Sequence, residues 1–216
     1  MKPRRGLTAT EAVDRARLCV RHAQGVVPSG EARRYLAMLG EEIAWRQYEI
    51  IVAGRRCLQP RLTAWYGDPG ARYRYSGRSF DPRPWTPTLL ELRRYVEDWS
   101  GRRFNAVLLN LYRNGRDAVG WHSDNEPELG PEPVIASLSL GATRCFEFRE
   151  KSNRTGSRQL FRLMSGSVLI MAGTTQRFWQ HRLRREPAVE GVRVNLSFRQ
   201  IVPRETPCPV ASAGTR

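Results

Sequence analysis

Hydrophobic positions fall into two regimes along this chain of 216 residues. In the first half they recur at helical spacing in two places. Tyr35, Leu36, Leu39 and Ile43 mark one face of a helix running from Ser29, read as its N-cap, through Glu42. Leu89, Leu92, Val96 and Trp99 mark a second, over 88–99. Thr8-x-x-Glu11 has the form of a capping box and predicts a short helix to about Val20. Strand-like runs lie at 47–52 and 61–66, and Gly67-Asp68-Pro69-Gly70 reads as a turn. Beyond Gly101 the runs are short, rich in β-formers and broken by Gly, Pro and Asn: 105–112, 133–140, 143–148, 167–171, 177–183 and 192–201. Strands at this spacing with no helix between them predict an antiparallel sandwich or barrel. The expectation is an α+β fold, a double-stranded β-helix (jelly roll) with the N-terminal helices bracing one sheet.

The organisation that follows is a basic, partly flexible arm over 1–28, one domain over 29–201 and a flexible tail over 202–216. Length suits a single core. No run of apolar residues is long enough to span a membrane, and residues 1–20 lack an apolar signal core, so the protein is expected to be cytoplasmic; a monomer is expected, though the sequence gives no oligomeric state. Cys19, Cys57, Cys145 and Cys208 form no CxxC pair, which fits reduced thiols. Charge changes the picture more. Lys and Arg number 36 against 21 Asp and Glu, a formal +15, and almost all the cations are Arg. A biased genome explains Arg over Lys but not the excess of positive charge, and a basic surface attracts polyanions by releasing their counterions.

Three histidines are present, and two stand in patterned surroundings. In Trp121-His122-Ser123-Asp124, residues two apart on an extended segment bring imidazole and carboxylate to one point. His181, in the run 177–183, can close the set from a neighbouring strand. Two His and one carboxylate leave open positions on a metal, which suits non-haem iron(II). Taken alone, HxD also fits a zinc site or a structural pair, and His181, flanked by Arg182 and Arg184, also fits a phosphate contact. The run 192–199 alternates without a break: Val192, Val194, Leu196 and Phe198 on one side, Arg193, Asn195, Ser197 and Arg199 on the other. Two arginines turned into a barrel are costly unless an anion meets them. A dicarboxylate such as 2-oxoglutarate offers two charges, each able to take a guanidinium fork. Asn110 and Tyr112, again two apart, add an amide and a phenol on one face.

N-x-Y, H-x-D, a lone His and R-x-N-x-[ST]-x-R, in this order, resemble the AlkB family of Fe(II)/2-oxoglutarate-dependent dioxygenases. More narrowly the chain is similar to the branch containing the human double-stranded-DNA alkylation-repair homologue. The resemblance runs from about Gln47 to Ile201. It implies His122, Asp124 and His181 as iron ligands and Asn110, Tyr112, Arg193, Asn195 and Arg199 around 2-oxoglutarate, with Arg193 and Tyr112 at the distal carboxylate and Arg199 and Asn110 nearer the metal. It also implies a β-rich nucleotide-recognition lid over about 47–80. There Tyr75 would stack on a flipped base opposite His122, with Tyr73, Ser76 and Glu126 as neighbouring contacts. The implied activity is oxidative dealkylation of bases such as 1-methyladenine and 3-methylcytosine, releasing formaldehyde, succinate and CO2. Alternatives are an RNA demethylase of the same chemistry and a non-catalytic nucleic-acid-binding module on this fold.

One departure stands out. Val52-Ala53-Gly54 matches a loop that carries an aromatic wedge in the duplex-repair homologue. Without the wedge, opening a duplex costs more. Alkylated single strands are therefore the expected partner, ahead of duplex DNA.

Overall fold

The computed structural model describes residues 8–15, 17–52, 54–75 and 78–202. In chain order the strands are β1 (Thr8–Arg15), β2 (Leu18–Gln24), β3 (Glu49–Val52), β4 (Arg55–Leu58), β5 (Leu62–Gly67), β6 (Tyr73–Tyr75), β7 (Arg78–Phe80) and β8 (Ala106–Tyr112). They continue as β9 (Val119–His122), β10 (Ile135–Gly141), β11 (Arg144–Glu150), β12 (Gln159–Leu163), β13 (Val168–Ala172), β14 (Trp179–Leu183) and β15 (Arg193–Arg199). Helices α1 (Ser29–Glu42), α2 (Pro87–Ser100) and the single turn α3 (Thr175–Phe178) complete the fold.

Seven strands form a large sheet in the order β1-β2-β13-β10-β15-β8-β5, and four form a small one, β12-β11-β14-β9. All the pairings within them are antiparallel. The large sheet is covered on both faces. Against one lie α1 and α2, whose Ala32, Tyr35, Leu39, Leu89, Leu92 and Val96 pack on Leu138, Leu140, Val194, Leu196 and Phe198. Against the other lies the small sheet, with Leu18, Tyr112, Ile135, Phe146, Phe148, Leu163, Leu169 and Met171 between them. The jelly roll with helices bracing one sheet is therefore present.

α2 shows how local sequence sets an element. Thr86 caps it by accepting the Leu89 N–H at 3.2 Å, Pro87 takes the first position where no N–H is needed, and Gly101 ends it at φ 69°. Replacing Thr86 with Ala costs about 1 kcal/mol of helix stability. For α1 the sequence expectation shifts by one residue. Pro28 occupies the capping position, Ser29 is already helical, and no side chain caps the end.

Two expectations are corrected, and one strand is new. The capping box at Thr8 opens no helix: β1 and β2 form a hairpin, and β2 pairs with β13, so the fold begins before Ser29 and the arm over 1–28 contributes strands. Leu18 and Val20 are buried two residues apart, a strand period that outweighs the local capping signal. The run 61–66, read as part of the lid, is β5, paired with β8 at the edge of the large sheet. Only the hairpins on either side of it, β3–β4 and β6–β7, stand apart in two-stranded sheets. Finally, β12 had no counterpart in the sequence reading. The described cysteines, Cys19, Cys57 and Cys145, form no disulfide, and no described helix is long and apolar enough to cross a membrane.

Candidate metal and dicarboxylate site

The two sheets diverge around one cavity, lined among others by Asn110, Tyr112, His122, Asp124, His181, Asn195 and Arg199. The small sheet supplies the imidazoles. His122 ends the edge strand β9 and is the direct cross-strand partner of His181 on β14. Their ring centroids lie 4.3 Å apart. Asp124 follows two residues later, its backbone N–H donating to Gln176 Oε1 at 2.9 Å. Asp124 Oδ1 is 3.8 Å from His122 Nε2, and Oδ2 is 3.9 Å from His181 Nε2. One ligand atom from each residue lies within 4.8 Å of the other two.

Protonation suits a metal. His122 Nδ1 lies 2.8 Å from the Gly120 carbonyl, so it carries the proton and leaves the Nε2 lone pair toward Asp124. Burial foremost, with His122 and the cations Arg199 and Lys151 nearby, pushes His181 down to about 3 against the pull of Asp124, so its imidazole is neutral. Phe146 stacks on that ring at 5.2 Å and Phe148 meets it edge-on. Burial raises the Asp124 carboxyl, but the charge of Arg199 beside it is the foremost of the effects that outweigh burial and hold the group at about 2. Neutral imidazoles and an ionised carboxylate are the forms that bind a metal ion.

The large sheet supplies the cations. The register on β15 and β8 pairs Arg193 with Tyr112, Asn195 with Asn110 and Ser197 with Leu108. The polar side of β15 is buried along its whole length. Arg199 Nη2 stands 3.1 Å from Asp124 Oδ2, at the metal end. Arg193 lies at the other end, 2 % exposed, its guanidinium 5.3 Å from the centre of the Tyr112 ring. Arg193 Nη2 donates to Ser139 Oγ at 2.9 Å, and its Nε has no hydrogen-bond partner among the described residues. Burial lowers this guanidinium to about 10. A buried cation so placed fits an anion between it and the metal ligands. Asn195 is fixed by bonds to Ser137 Oγ at 2.7 Å and the Leu138 carbonyl at 3.1 Å.

All eight residues assigned to metal and dicarboxylate therefore converge, seven on the cavity wall and Arg193 behind Tyr112. Glu126 is half-buried and precedes the 3-10 turn Pro127–Leu129. Of the lid residues, Ala53 and Ser76 lie outside the described residues; Val52, Tyr73 and Tyr75 are described only as backbone of β3 and β6, and Gly54 turns β3 into β4 at φ 77°. Arg61 escaped the sequence reading as a site residue. It lines the cavity and donates from Nε to Asn110 Oδ1 at 2.8 Å. An arginine alternating with Thr63 and Trp65 at the head of a strand was the available signal. Arg144 escaped too. Fully buried, it bonds Glu186 at 3.1 Å and the carbonyls of Asn114 and Asp117 at 3.2 and 2.9 Å. It thereby ties the segment after Tyr112 to the one after β14. Gly115 is required in that closure, since a Cβ would meet the Glu186 carbonyl oxygen at 1.8 Å.

Comparison with known proteins bears on this geometry. The 2OG-Fe(II) oxygenase superfamily profile matches residues 19–199. The human "Alpha-ketoglutarate-dependent dioxygenase alkB homolog 3" is 44% identical over 187 residues, covering 83% of this chain and 65% of its own length. The human "DNA oxidative demethylase ALKBH2" is 43% identical over 159 residues, 71% of this chain and 61% of its own. This chain thus spans a little under two thirds of these relatives. The solved structure of OsALKBH1 superposes with a TM-score of 0.59 at 18% identity, covering 90% of this chain and all of that one, a likeness of fold.

Proposed function

Because the chain belongs to the AlkB family within the 2OG-Fe(II) oxygenase superfamily, we propose that it oxidatively removes alkyl groups from nucleic-acid bases, with 1-methyladenine and 3-methylcytosine as substrates. The observation that carries this reading is the joining of two half-sites in one cavity. The His122–His181 pair with an ionised Asp124 sits beside a buried strand bearing two arginines. A zinc-only site has no use for the second half, and a binding module has no use for the first.

In this reading His122, Asp124 and His181 hold iron(II). Arg199 and Asn110 hold the end of 2-oxoglutarate nearer the metal, and Arg193 with Tyr112 takes the distal carboxylate. Once bound, iron(II) with 2-oxoglutarate and O2 supplies the oxidant that hydroxylates the alkyl carbon, giving succinate, CO2 and, from a methyl group, formaldehyde. The chain's own residues position and shield. Phe146, Leu108 and Met171 line the cavity with apolar surface and limit water. Asn195, locked by Ser137 and the β10 backbone, leaves its Oδ1 to the Ser197 hydroxyl at 3.1 Å. Arg61 holds Asn110 in one orientation. His122, its side chain 34% exposed, is the ligand that reaches the mouth, where a base can lie against it. Tyr75, Tyr73, Ser76 and Glu126 are assigned to the base, and Val52, Ala53 and Gly54 to the loop beside it. With Ala53 in place of a wedge, single strands are preferred to duplex.

The test is anaerobic loading with iron(II) and 2-oxoglutarate, then air and an oligonucleotide carrying 3-methylcytosine, reading restored base by mass. Single-stranded DNA, duplex DNA and RNA run in parallel, with His122→Ala as the blank. Repair that vanishes in the blank, ranked single strand over duplex, is expected. Consumption of 2-oxoglutarate without repair on any polymer would move the substrate elsewhere. No consumption at all would favour the binding module.

A further inference from the structure

The small sheet carries the candidate metal ligands on one face; its other face is paved with arginine. Along β14 the buried Trp179, His181 and Leu183 alternate with Gln180 and Arg182, and Arg184 follows the strand. The register sets Glu147 of β11 beside Arg182 and Arg149 beside Gln180. Arg162 of β12 stands beside Cys145 of β11 on the same side. Trp121 precedes His122 on the edge strand, so the two turn to opposite faces. The guanidiniums of Arg149 and Arg182 lie 4.3 and 4.4 Å from the Trp121 ring centre, and that of Arg158 lies 5.6 Å away.

The charge on this face is not balanced locally. Glu147 is buried and is shared by Arg182 at 2.7 Å, Arg184 at 3.4 Å and Arg158 at 3.5 Å, and Arg184 has in addition only Glu186, at 3.8 Å, which Arg144 also holds. Arg149 donates to an uncharged partner, Gln180 Oε1, at 2.9 Å. Burial and then the charges of Arg154, Arg182 and Arg158 press its guanidinium below its ordinary value. An ordinary solvated face intersperses both signs. Here the indole ring holds guanidiniums in fixed orientation, which reduces the entropy lost when they bind an anion. Beside them a groove of about 530 Å³ runs between residues 118–120 and Arg182, Arg184 and Arg185, along β9.

Resting on the nucleic-acid reading of the active site, we propose that the outer face of the small sheet is a second contact surface for the substrate strand, binding the phosphodiesters that flank the base held at His122. Because β9 is the sheet edge, a strand need only fold over it to pass from His122 to Trp121 and its arginines. A single strand makes that bend readily. Duplex DNA, with a persistence length of about 150 base pairs, resists it. The face therefore selects for single strands independently of the loop at Ala53.

The experiment compares Arg149→Gln/Arg162→Gln with a charge-matched pair, Arg33→Gln/Arg34→Gln, on the exposed side of α1. Binding of a fluorescein-labelled, unmodified single strand of about 16 nucleotides is followed by anisotropy across a salt series. Losing two phosphate contacts lowers the slope of log K against log salt by about 1.4, and binding at moderate salt weakens roughly ten-fold, while the α1 pair changes neither to that extent. Arg149→Lys/Arg162→Lys restores the slope. For alkylated substrates, the KM of the long strand relative to that of a trinucleotide rises in the face variant. Because the binding arm needs no turnover, an inactive enzyme that still shows the slope change leaves this surface standing and overturns the repair reading alone. Equal weakening by both pairs, or an unmoved slope, overturns the surface. So does unchanged strand binding alongside lost affinity for a polyglutamate peptide, which would make the face an acidic-protein site.

Discussion

The two sheets meet at one cavity but are built in opposite ways there. The large sheet presents its contribution from β15, paired on both sides and packed on both faces, so Arg193, Asn195 and Arg199 are fixed by register. The small sheet presents His122 from a four-residue edge strand, beside a register shift between His181 and Leu183. On the proposed assignment, a co-substrate that never varies would be met by a sheet interior, and the mouth, where bases and polymers vary, by a sheet edge. Rigidity is distributed according to what each end must recognise.

The harshest test of this division is Asp124→Asn. The amide cannot replace the charge that faces two imidazoles and Arg199, so iron(II) binding by calorimetry and 2-oxoglutarate consumption should both be lost. Retained turnover would refute the ligand set. Next is Arg193→Met, which removes charge-assisted bonds worth about 2–3 kcal/mol and should raise the KM for 2-oxoglutarate roughly 100-fold. Iron affinity should hold, because the change lies in the other sheet. Without 2-oxoglutarate this variant should melt no lower than wild type, since a buried arginine lacking its anion is a cost. A parallel loss of iron binding would show that the halves are not separable.

Gln176→Leu probes the opposite half. It frees the Asp124 backbone N–H and should lower iron affinity by roughly 10-fold, with little change in 2-oxoglutarate binding measured beside it. The smallest effect belongs to the helical brace. Burial, with the bond to Glu91 at 2.6 Å, raises Tyr35 to about 12, so the folded state keeps a proton that the unfolded chain releases above about 10. Stability present below pH 10 should decline as pH rises toward 12. Tyr35→Phe should flatten that decline in melting curves without altering turnover at neutral pH.

What could be read from the sequence follows the same division. The strand bearing Arg193 to Arg199 was legible because both of its faces keep period two, and polar residues recur where an interior must lie. The clustering of His122, Asp124 and His181 was legible because HxD is local and only three histidines exist. Arg61 and Arg144 were not, because each acts through carbonyls or amides far along the chain and leaves no spacing to read. The N-terminal hairpin misled for a related reason. Its capping box is a local signal, whereas its strand state is decided by β13. The edges of β12 were hidden by Leu160, an apolar residue on the exposed face that blurs the alternation.

That N-terminal pairing has a consequence for how the protein is made. Val20 docks opposite Met171, so β2 leaves the ribosome long before its partner and must wait while most of the chain is synthesised. An unpaired hairpin is a sticky edge during that interval. Folding dominated by such distant closures is slow. The nascent chain is thus most vulnerable to misassembly until β13 emerges, and slowing synthesis upstream of Val168 should lower the soluble yield more than the same delay placed after it.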